Sequence, residues 1–80
     1  MYTVYVLQNT KGKLYIGQTS DIEKRLEEHN VTGEGYTAMY RPWKVLWSKD
    51  FLTRRESMRK ERYLKTGVGR EWITKNILRA

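Results

Sequence analysis

Two short runs of aromatic and β-branched residues lie close together near the N-terminus, separated by turn-forming residues. The runs cover residues 4–7 (VYVL) and 14–16 (LYI), and residues 9–13 between them read NTKGK. Strands favour residues of the first kind, and tight turns favour those of the second. The pattern therefore predicts a β-hairpin.

The length of the turn decides where the tyrosines of this hairpin point. A loop of odd length centred on Lys11 places Leu7 opposite Tyr15. The same register places Tyr5 opposite Gly17, so both phenol rings lie on one face. Because Gly17 has no side chain, the ring of Tyr5 and a bound backbone have room to approach it.

Length and composition predict one small domain covering residues 1–80, of a size that buries only about 60% of its unfolded surface. Three tryptophans, six tyrosines and one phenylalanine supply the large side chains that such a core needs. The sequence has no cysteine, which excludes disulfides and indicates a reducing compartment. It also has no apolar run of membrane-spanning length and no signal-peptide pattern. We expect a soluble cytoplasmic protein, monomeric and without a membrane partner.

The charge of the chain is +7, from 16 basic and nine acidic residues. Residues 53–80 hold nine basic and three acidic side chains, a net of +6, so the excess is concentrated in the C-terminal third. A basic surface of this kind binds phosphate backbones through counterion release, which favours a nucleic-acid partner. The alternative is a solvated helix surface that happens to use Arg and Lys.

A Ser-x-x-Glu capping box at Ser20 and Glu23 predicts a helix that runs to about His29 or Asn30. Residues 31–36 contain two glycines and read as a mobile loop.

The apolar stripe of this helix is formed by Ile22 and Leu26. Arg25 lies three residues after Ile22, and His29 lies three residues after Leu26. Arg25 and His29 are therefore one helical turn apart and are expected to face the sheet. The residues expected to point outward are Lys24, Glu27 and Glu28.

A third strand is predicted over residues 43–48, because the Arg41-Pro42 pair forces extended backbone and the following residues alternate. Three alternate residues, which we expect to share one face and form core, are Trp43, Val45 and Trp47.

A second capping box, Thr53-x-x-Glu56, opens a helix expected to run to about Thr66 and to end at Gly67. A short last helix is predicted over residues 70–79. Its buried residues are expected to be Trp72, Ile73 and Ile77. The resulting fold class is α+β, a small three-stranded antiparallel sheet flanked by helices, in the order strand, strand, helix, strand, helix, helix.

Glu61 lies on the inward side of the second helix, three residues after Met58 and three before Leu64. An ionised carboxylate there is costly unless it is paired or binds a cation. Spacing alone leaves two interpretations level: an ion pair with a nearby arginine such as Arg25, or a metal ligand.

The polar residues expected to point inward are Tyr5, Tyr15, Arg25, His29 and Glu61. In these residues the sequence resembles the GIY-YIG nuclease family, in particular its small stand-alone bacterial members. The triplets stand as Val4-Tyr5-Val6 and Tyr15-Ile16-Gly17. Later blocks of the small members resemble residues 21–26, 35–37, 41–43, 53–56 and 61–65. The resemblance implies a divalent-metal-dependent phosphodiesterase that acts on DNA.

Carried over residue by residue, the resemblance assigns a role to each side chain. Glu61 would hold one Mg²⁺ or Mn²⁺, which stabilises the leaving 3′ oxygen. Arg25 would grip the non-bridging phosphate oxygens. Tyr5 or Tyr15 would orient or deprotonate the attacking water, a role for which the phenol needs nearby positive charge, and His29 would assist.

Contacts to nucleic acid are expected from Gln18, Lys24, Arg41, Arg54, Arg55 and Lys65. The sequence departs from the family at its first triplet, which is VYV, and at Gln18, where the excision-repair nuclease subunits carry a lysine. Asn76 is a possible counterpart of a late asparagine in larger members, without a transferable role. The small size implies low sequence selectivity, recognition of DNA structure, or specificity supplied by a partner protein.

Two other functions are alternatives to a nuclease, and the first of them fits the same charge. The first is a basic nucleic-acid-binding module with weak or absent catalysis in isolation. The second, weaker, is a structural adaptor in which the polar groups only satisfy one another. The inward Glu61 discriminates in favour of catalysis, because a pure binding module has no evident need of it.

Overall fold

The computed structural model describes residues 1–33 and 35–78 and confirms the α+β prediction. Its three strands are β1 (Tyr2–Asn9), β2 (Leu14–Thr19) and β3 (Trp43–Phe51). They form one antiparallel sheet in the order β2-β1-β3, so β1 is central. None of the helices described is long and apolar enough to cross a bilayer.

The predicted hairpin register is confirmed. The opposed pairs include Tyr5 with Gly17 and Leu7 with Tyr15. Asn9 fixes the turn, because its side-chain oxygen accepts hydrogen bonds from the backbone N–H groups of Lys11, at 3.1 Å, and Lys13, at 2.8 Å. Gly12 supplies the left-handed backbone (φ +85°) that the turn requires.

The prediction that Trp43, Val45 and Trp47 share one face is wrong. Val6 pairs with Trp47, whereas the next residue, Leu7, pairs with Val45, so one residue of β3 has no partner. This β-bulge moves Trp47 to the face of Val6 and leaves Trp43 and Val45 on the other.

Helix α1 (Ile22–Glu27) continues directly into a wider π-helical turn, Glu28–Thr32. A short helix, α2 (Tyr36–Met39), follows. The prediction of a loop over residues 31–36 is therefore wrong at both ends. The described part of that loop is short, because the helical turn reaches Thr32 and α2 begins at Tyr36.

The cap of α1 is Asp21, not Ser20. The Asp21 carboxylate accepts a hydrogen bond from the backbone N–H of Lys24 at 3.1 Å. Both residues have side chains suited to an N-cap, and the helix starts one residue later than the capping box predicts.

Helix α3 (Arg54–Leu64) begins at the predicted cap, since the Thr53 hydroxyl accepts from the backbone N–H of Glu56. The prediction that Gly67 ends α3 is wrong. Gly67 is instead the first residue of α4 (Gly67–Ile73), which is capped by Thr66 and leads into a second π-helical turn, Thr74–Leu78. The last helix was predicted to start at residue 70, three residues after its observed start at Gly67. Its predicted end at Arg79 lies outside the described residues.

The sheet has two faces with different contents. The valine face carries Val4 and Val6, which pack with Leu64 of α3 and Ile73 of α4 in a fully buried apolar cluster. The tyrosine face carries Tyr5, Leu7 and Trp43, and the residues packed on it include Tyr15, Ile22, Leu26 and Tyr40. The predicted burial of Ile73 is confirmed, while Trp72 and Ile77 are half-buried at the rim of the valine face.

Candidate active site

The Tyr5 hydroxyl is the centre of a buried polar network on the tyrosine face. Its oxygen lies 3.0 Å from Nε2 of His29 and accepts a longer hydrogen bond, 3.4 Å, from Nε of Arg25. Strand β1 holds the ring over Gly17, where any side chain would collide with it, because a Cβ atom there would lie 2.5 Å from the hydroxyl oxygen. The predicted reason for glycine at this position is therefore supported by the packing.

His29, the single histidine of the chain, is 3% exposed. Its pKa is lowered from the ordinary value, first by burial and then by the positive charge of Arg25, with Glu28 acting in the opposite direction. The ring is therefore neutral at pH 7. A neutral ring with its proton on Nδ1 leaves Nε2 free to accept the O–H of Tyr5.

The pKa of Tyr5 is raised, so Tyr5 is a protonated phenol at neutral pH. Burial is the largest cause, and the negative charge of Glu61 acts in the same direction. The hydrogen bond and charge of Arg25 lower the pKa, as the sequence suggests, but they do not outweigh burial. Deprotonation of Tyr5 therefore requires a proton acceptor, and His29 is in contact with it.

The guanidinium of Arg25 is shared between this network and an ion pair. Its pKa is raised, mainly by the hydrogen bond to Tyr5. Nη1 lies 3.1 Å from Oε1 of Glu28, and both side chains are 40% exposed. Two expectations are thereby corrected: Glu28 turns toward Arg25 instead of outward, and Arg25 does not pair with Glu61.

A cleft of about 300 Å³ opens beside these groups. It is lined by Tyr15, Arg25, Glu28, His29, Thr32, Gly33, Tyr36 and Thr37. The Tyr15 ring meets the His29 ring edge-on at 4.8 Å. Tyr5, Tyr15, Arg25 and His29 are thus brought together as predicted, with three of them at the cleft and Tyr5 beneath.

The π-helical turn that carries His29 is fixed by side chains from outside it. Arg41 donates from Nε to the His29 carbonyl oxygen at 2.8 Å and from Nη2 to that of Gly33. Asn30 accepts from the backbone N–H of Trp43 at 2.6 Å and donates to its carbonyl oxygen at 2.9 Å. The guanidinium of Arg41, predicted to contact nucleic acid, is therefore engaged in holding the wall of the cleft.

Glu61, on α3, does not line the cleft and forms no hydrogen bond or ion pair with the four clustered residues in the described structure. Its carboxylate binds Nζ of Lys65 at 2.8 Å, with the Glu61 side chain 23% exposed. The ion-pair interpretation thus has the wrong partner, because the pair is formed with Lys65 one turn along the same helix. Glu61 is nevertheless near enough for its charge to raise the pKa of Tyr5.

The surroundings of Glu61 bear on its predicted role as a metal ligand. It opens on a cavity of about 300 Å³ lined also by Met58, Arg62 and Lys65. Within residues 1–33 and 35–78 there is no group of three His, Cys, Asp or Glu side chains that could hold a metal together. One hard carboxylate on an open cavity fits Mg²⁺, which keeps several waters in its shell. A metal here would compete with the Lys65 ammonium.

The remaining predicted binding residues are scattered. Gln18 pairs with Val4 and so lies on the valine face, beside Ser57, away from the tyrosines. Exposed positions on α1 and at the start of α3 are occupied by Lys24, Arg54 and Arg55. The amide of Asn76 donates to the Trp72 carbonyl oxygen of its own helix.

Comparison with known proteins gives the family. The sequence pattern described as "GIY-YIG catalytic domain" matches residues 1–76. This chain belongs to the GIY-YIG family. The family resemblance is thereby confirmed, and with it a place among nucleases, for which DNA is the implied substrate.

The similar sequences found include small proteins named UPF0213. A UPF0213 protein of Streptococcus agalactiae is 44% identical over 64 residues, which cover 78% of this chain and 72% of the relative. A UPF0213 protein of Bacillus licheniformis is 46% identical over 62 residues, 76% of this chain and 64% of the relative. The solution NMR structure of a UPF0213 protein from Bacillus halodurans has a TM-score of 0.57 and 28% identity, covering 94% of this chain and 84% of that one.

Reasoning from the sequence did not predict that Glu28 of this GIY-YIG domain pairs with Arg25, or that Arg59 and Arg62 are exposed beside Arg55. Glu28 is one turn after Arg25, a spacing that allows an ion pair. Arg59 and Arg62 lie on the same side of α3 as Arg55, at spacings of four and seven residues. All three could have been found from helical spacing.

Proposed function

We propose that the chain is a metal-dependent endonuclease that hydrolyses phosphodiester bonds in DNA. The observation that carries the proposal is the Tyr5 hydroxyl held between Arg25 and a neutral His29. A buried phenol in contact with an unprotonated imidazole can pass a proton to it, and this pairing of a weak acid with a base is typical of catalytic sites.

In the proposed reaction, water attacks the scissile phosphorus as the bond from phosphorus to the 3′ oxygen breaks. The water loses its proton to the Tyr5 oxygen while the Tyr5 proton passes to Nε2 of His29, and the leaving 3′ oxygen takes a proton from solvent. Proton transfer through Tyr5 avoids a free phenolate, which burial disfavours. Tyr15 lies against His29 at the cleft and limits the water that reaches the ring.

Arg25 would bind the non-bridging oxygens of the same phosphate. Its guanidinium faces the cleft and already binds an anionic oxygen, that of Glu28, in the position that a phosphate oxygen would take. A planar donor with several N–H groups suits a phosphate, and it also neutralises the charge that grows in the transition state.

Glu61 is the residue that would hold Mg²⁺ or Mn²⁺, with water completing the shell. When bound, such an ion supplies charge stabilisation for the leaving 3′ oxygen. Lys65 would leave the Glu61 carboxylate to admit it. Specificity would come from DNA structure or from a partner protein.

The direct test compares the wild type with Glu61→Gln on duplex, single-stranded and branched DNA, with and without Mg²⁺ or Mn²⁺. Metal-dependent cleavage that disappears in the variant, with DNA binding retained, is the expected result. Glu71→Gln, an exposed glutamate on α4, is the matched control and is expected to cleave normally. No cleavage of any substrate by the wild type would contradict the proposal.

A second candidate function is a basic nucleic-acid-binding module. The observation in its favour is the Lys65–Glu61 ion pair, because it satisfies the carboxylate without a metal. For this function we expect salt-sensitive DNA binding by both the wild type and Glu61→Gln, and no cleavage by either.

A further inference from the structure

One side of α3 carries four arginines around a groove of about 520 Å³. The groove is lined by Arg54, Arg55, Met58, Arg59 and Arg62. These positions follow the helical repeat, so the side chains stand in two adjacent rows along the helix. All four arginines are exposed. The groove has no acidic residue in its lining.

None of these arginines is paired with an acidic side chain in the described protein, although Glu56 lines a cavity with Arg59 and Glu61 lines one with Arg62. No ion pair or hydrogen bond involves any of the four guanidinium groups in residues 1–33 and 35–78. The two ion pairs found there are Arg25–Glu28 and Glu61–Lys65. Arginines spaced three or four residues apart on a helix repel one another. A surface with this many neighbouring positive charges attracts a polyanion, and binding of the polyanion relieves the repulsion.

The groove is continuous with the cavity of Glu61. Met58 and Arg62 line both. From Glu61 back to Arg54 is seven residues of helix, a distance of about 10 Å. One DNA strand rises about 3.4 Å per nucleotide along the axis, so the groove has the length of roughly three nucleotides.

We propose that this arginine groove binds the phosphate backbone of duplex DNA on one side of the scissile phosphate and leads it to Glu61. The inference rests on the proposed function for the role of Glu61 as the metal ligand at the scissile phosphate. DNA binding by the groove does not itself require cleavage. It assigns binding to Arg59 and Arg62, which the sequence did not single out. It also places the DNA along the exposed side of α3 and away from Arg41, whose guanidinium binds the backbone around the π-helical turn.

The test is the salt dependence of binding to a 20-base-pair duplex in EDTA, so that no cleavage occurs. The groove variant is Arg55→Gln/Arg59→Gln/Arg62→Gln. The matched control, Lys11→Gln/Lys13→Gln/Lys44→Gln, removes the same charge at the turn end of the hairpin, away from the groove. Each phosphate contact contributes about 0.9 to the slope of log K against log salt concentration. We expect the groove variant to lower the slope by roughly 2 to 3 and the control by less than about 1.

Two further measurements keep the result interpretable. The variant Arg55→Lys/Arg59→Lys/Arg62→Lys keeps the charges and is expected to keep the wild-type slope. The thermal midpoint of the groove variant at low salt is expected to equal or exceed that of the wild type, since repulsion is relieved. A lower midpoint would overturn the inference by showing that the arginines are folding contacts.

Equal slopes for the groove variant and the control would also overturn the inference, because they would show that DNA binding depends on the net charge of the protein and not on the groove. The same holds if the groove variant loses binding to vesicles containing phosphatidylserine while its binding to duplex is unchanged. A wild type that never cleaves but binds with the groove-dependent slope would remove the proposed function and leave the groove in place.

Discussion

The valine face and the tyrosine face of the sheet are built on the same central strand and use it differently. On the valine face, Val4, Val6, Leu64 and Ile73 are fully buried and apolar. On the tyrosine face, burial includes a phenol oxygen and an imidazole that satisfy each other. Apolar packing depends on volume, whereas a buried polar network depends on every partner being present. We infer that the valine face supplies stability and that the tyrosine face supplies proton transfer and phosphate binding, while Glu61 of α3 would supply the metal site.

The largest expected effect tests the valine face. Ile73→Ala removes a fully buried side chain and leaves a cavity, so we expect the free energy of unfolding to fall by about 2–5 kcal/mol. Urea unfolding measures this loss. Protein that remains folded at low temperature should keep the wild-type rate of DNA cleavage. Loss of cleavage by the folded fraction would break the division between the faces.

Gly17→Ala should affect the tyrosine face. The new Cβ collides with the buried Tyr5 hydroxyl, so the ring must move away from His29 and Arg25. We expect unfolding free energy to fall by about 1–3 kcal/mol and cleavage to fall by more than that loss explains.

Gly67→Ala is the matched control, because a Cβ there meets nothing within 4 Å. It should leave cleavage unchanged and stability within about 1 kcal/mol of the wild type. Equal effects of the two alanines on cleavage would contradict the contact argument.

The pH dependence of stability should separate the faces further. The folded pKa of His29 is lowered, so below pH about 6.5 the unfolded chain takes up a proton before the folded chain does. Stability should therefore decrease as pH falls from 6.5 through the folded pKa, with a slope of at most about 1.4 kcal/mol per pH unit. His29→Gln should lose this dependence, because the chain has no other histidine. A variant with an unchanged profile between pH 6.5 and 5 would contradict the assignment.

The smallest expected effect concerns Glu28, which binds Arg25 where we place the phosphate. Glu28→Gln frees the guanidinium, and because the pair is exposed we expect DNA affinity to rise only about two- to fivefold, a gain under about 1 kcal/mol. Glu27→Gln changes the charge equally on the neighbouring exposed residue, which forms no ion pair in the described structure. Fluorescence anisotropy with a labelled duplex would compare them. An equal gain in both variants would reduce the effect to net charge.

The hairpin and the cluster around Tyr5 were predictable because each rests on a simple count. The parity of the turn set Tyr5 opposite Gly17, and helical spacing set Arg25 and His29 one turn apart. The side of the sheet on which Trp47 lies was not predictable. The β-bulge in β3 inserts one residue, and the strand contains no glycine that would indicate a bulge.

Other features depended on choices between near-equal partners. Asp21 and Ser20 are both good caps, and one position decides between them. The role of Arg41 depends on the π-helical turn, which no periodicity predicts, because Arg41 binds the carbonyl oxygen of His29 within the turn and that of Gly33 just after it. The pairing of Glu61 with Lys65 follows a visible four-residue spacing, and it was missed because Arg25 was the expected partner.

The most direct test of the two-face account is Tyr5→Phe, measured for both urea unfolding and metal-dependent cleavage of DNA. The substitution removes one oxygen atom and keeps the ring that packs in the core. We predict stability within about 2 kcal/mol of the wild type, the range for losing a hydrogen bond, and cleavage lower by about 100-fold or more, the loss typical of removing a proton-transfer group. Wild-type cleavage by Tyr5→Phe would show that the buried network serves the fold alone and would contradict the account.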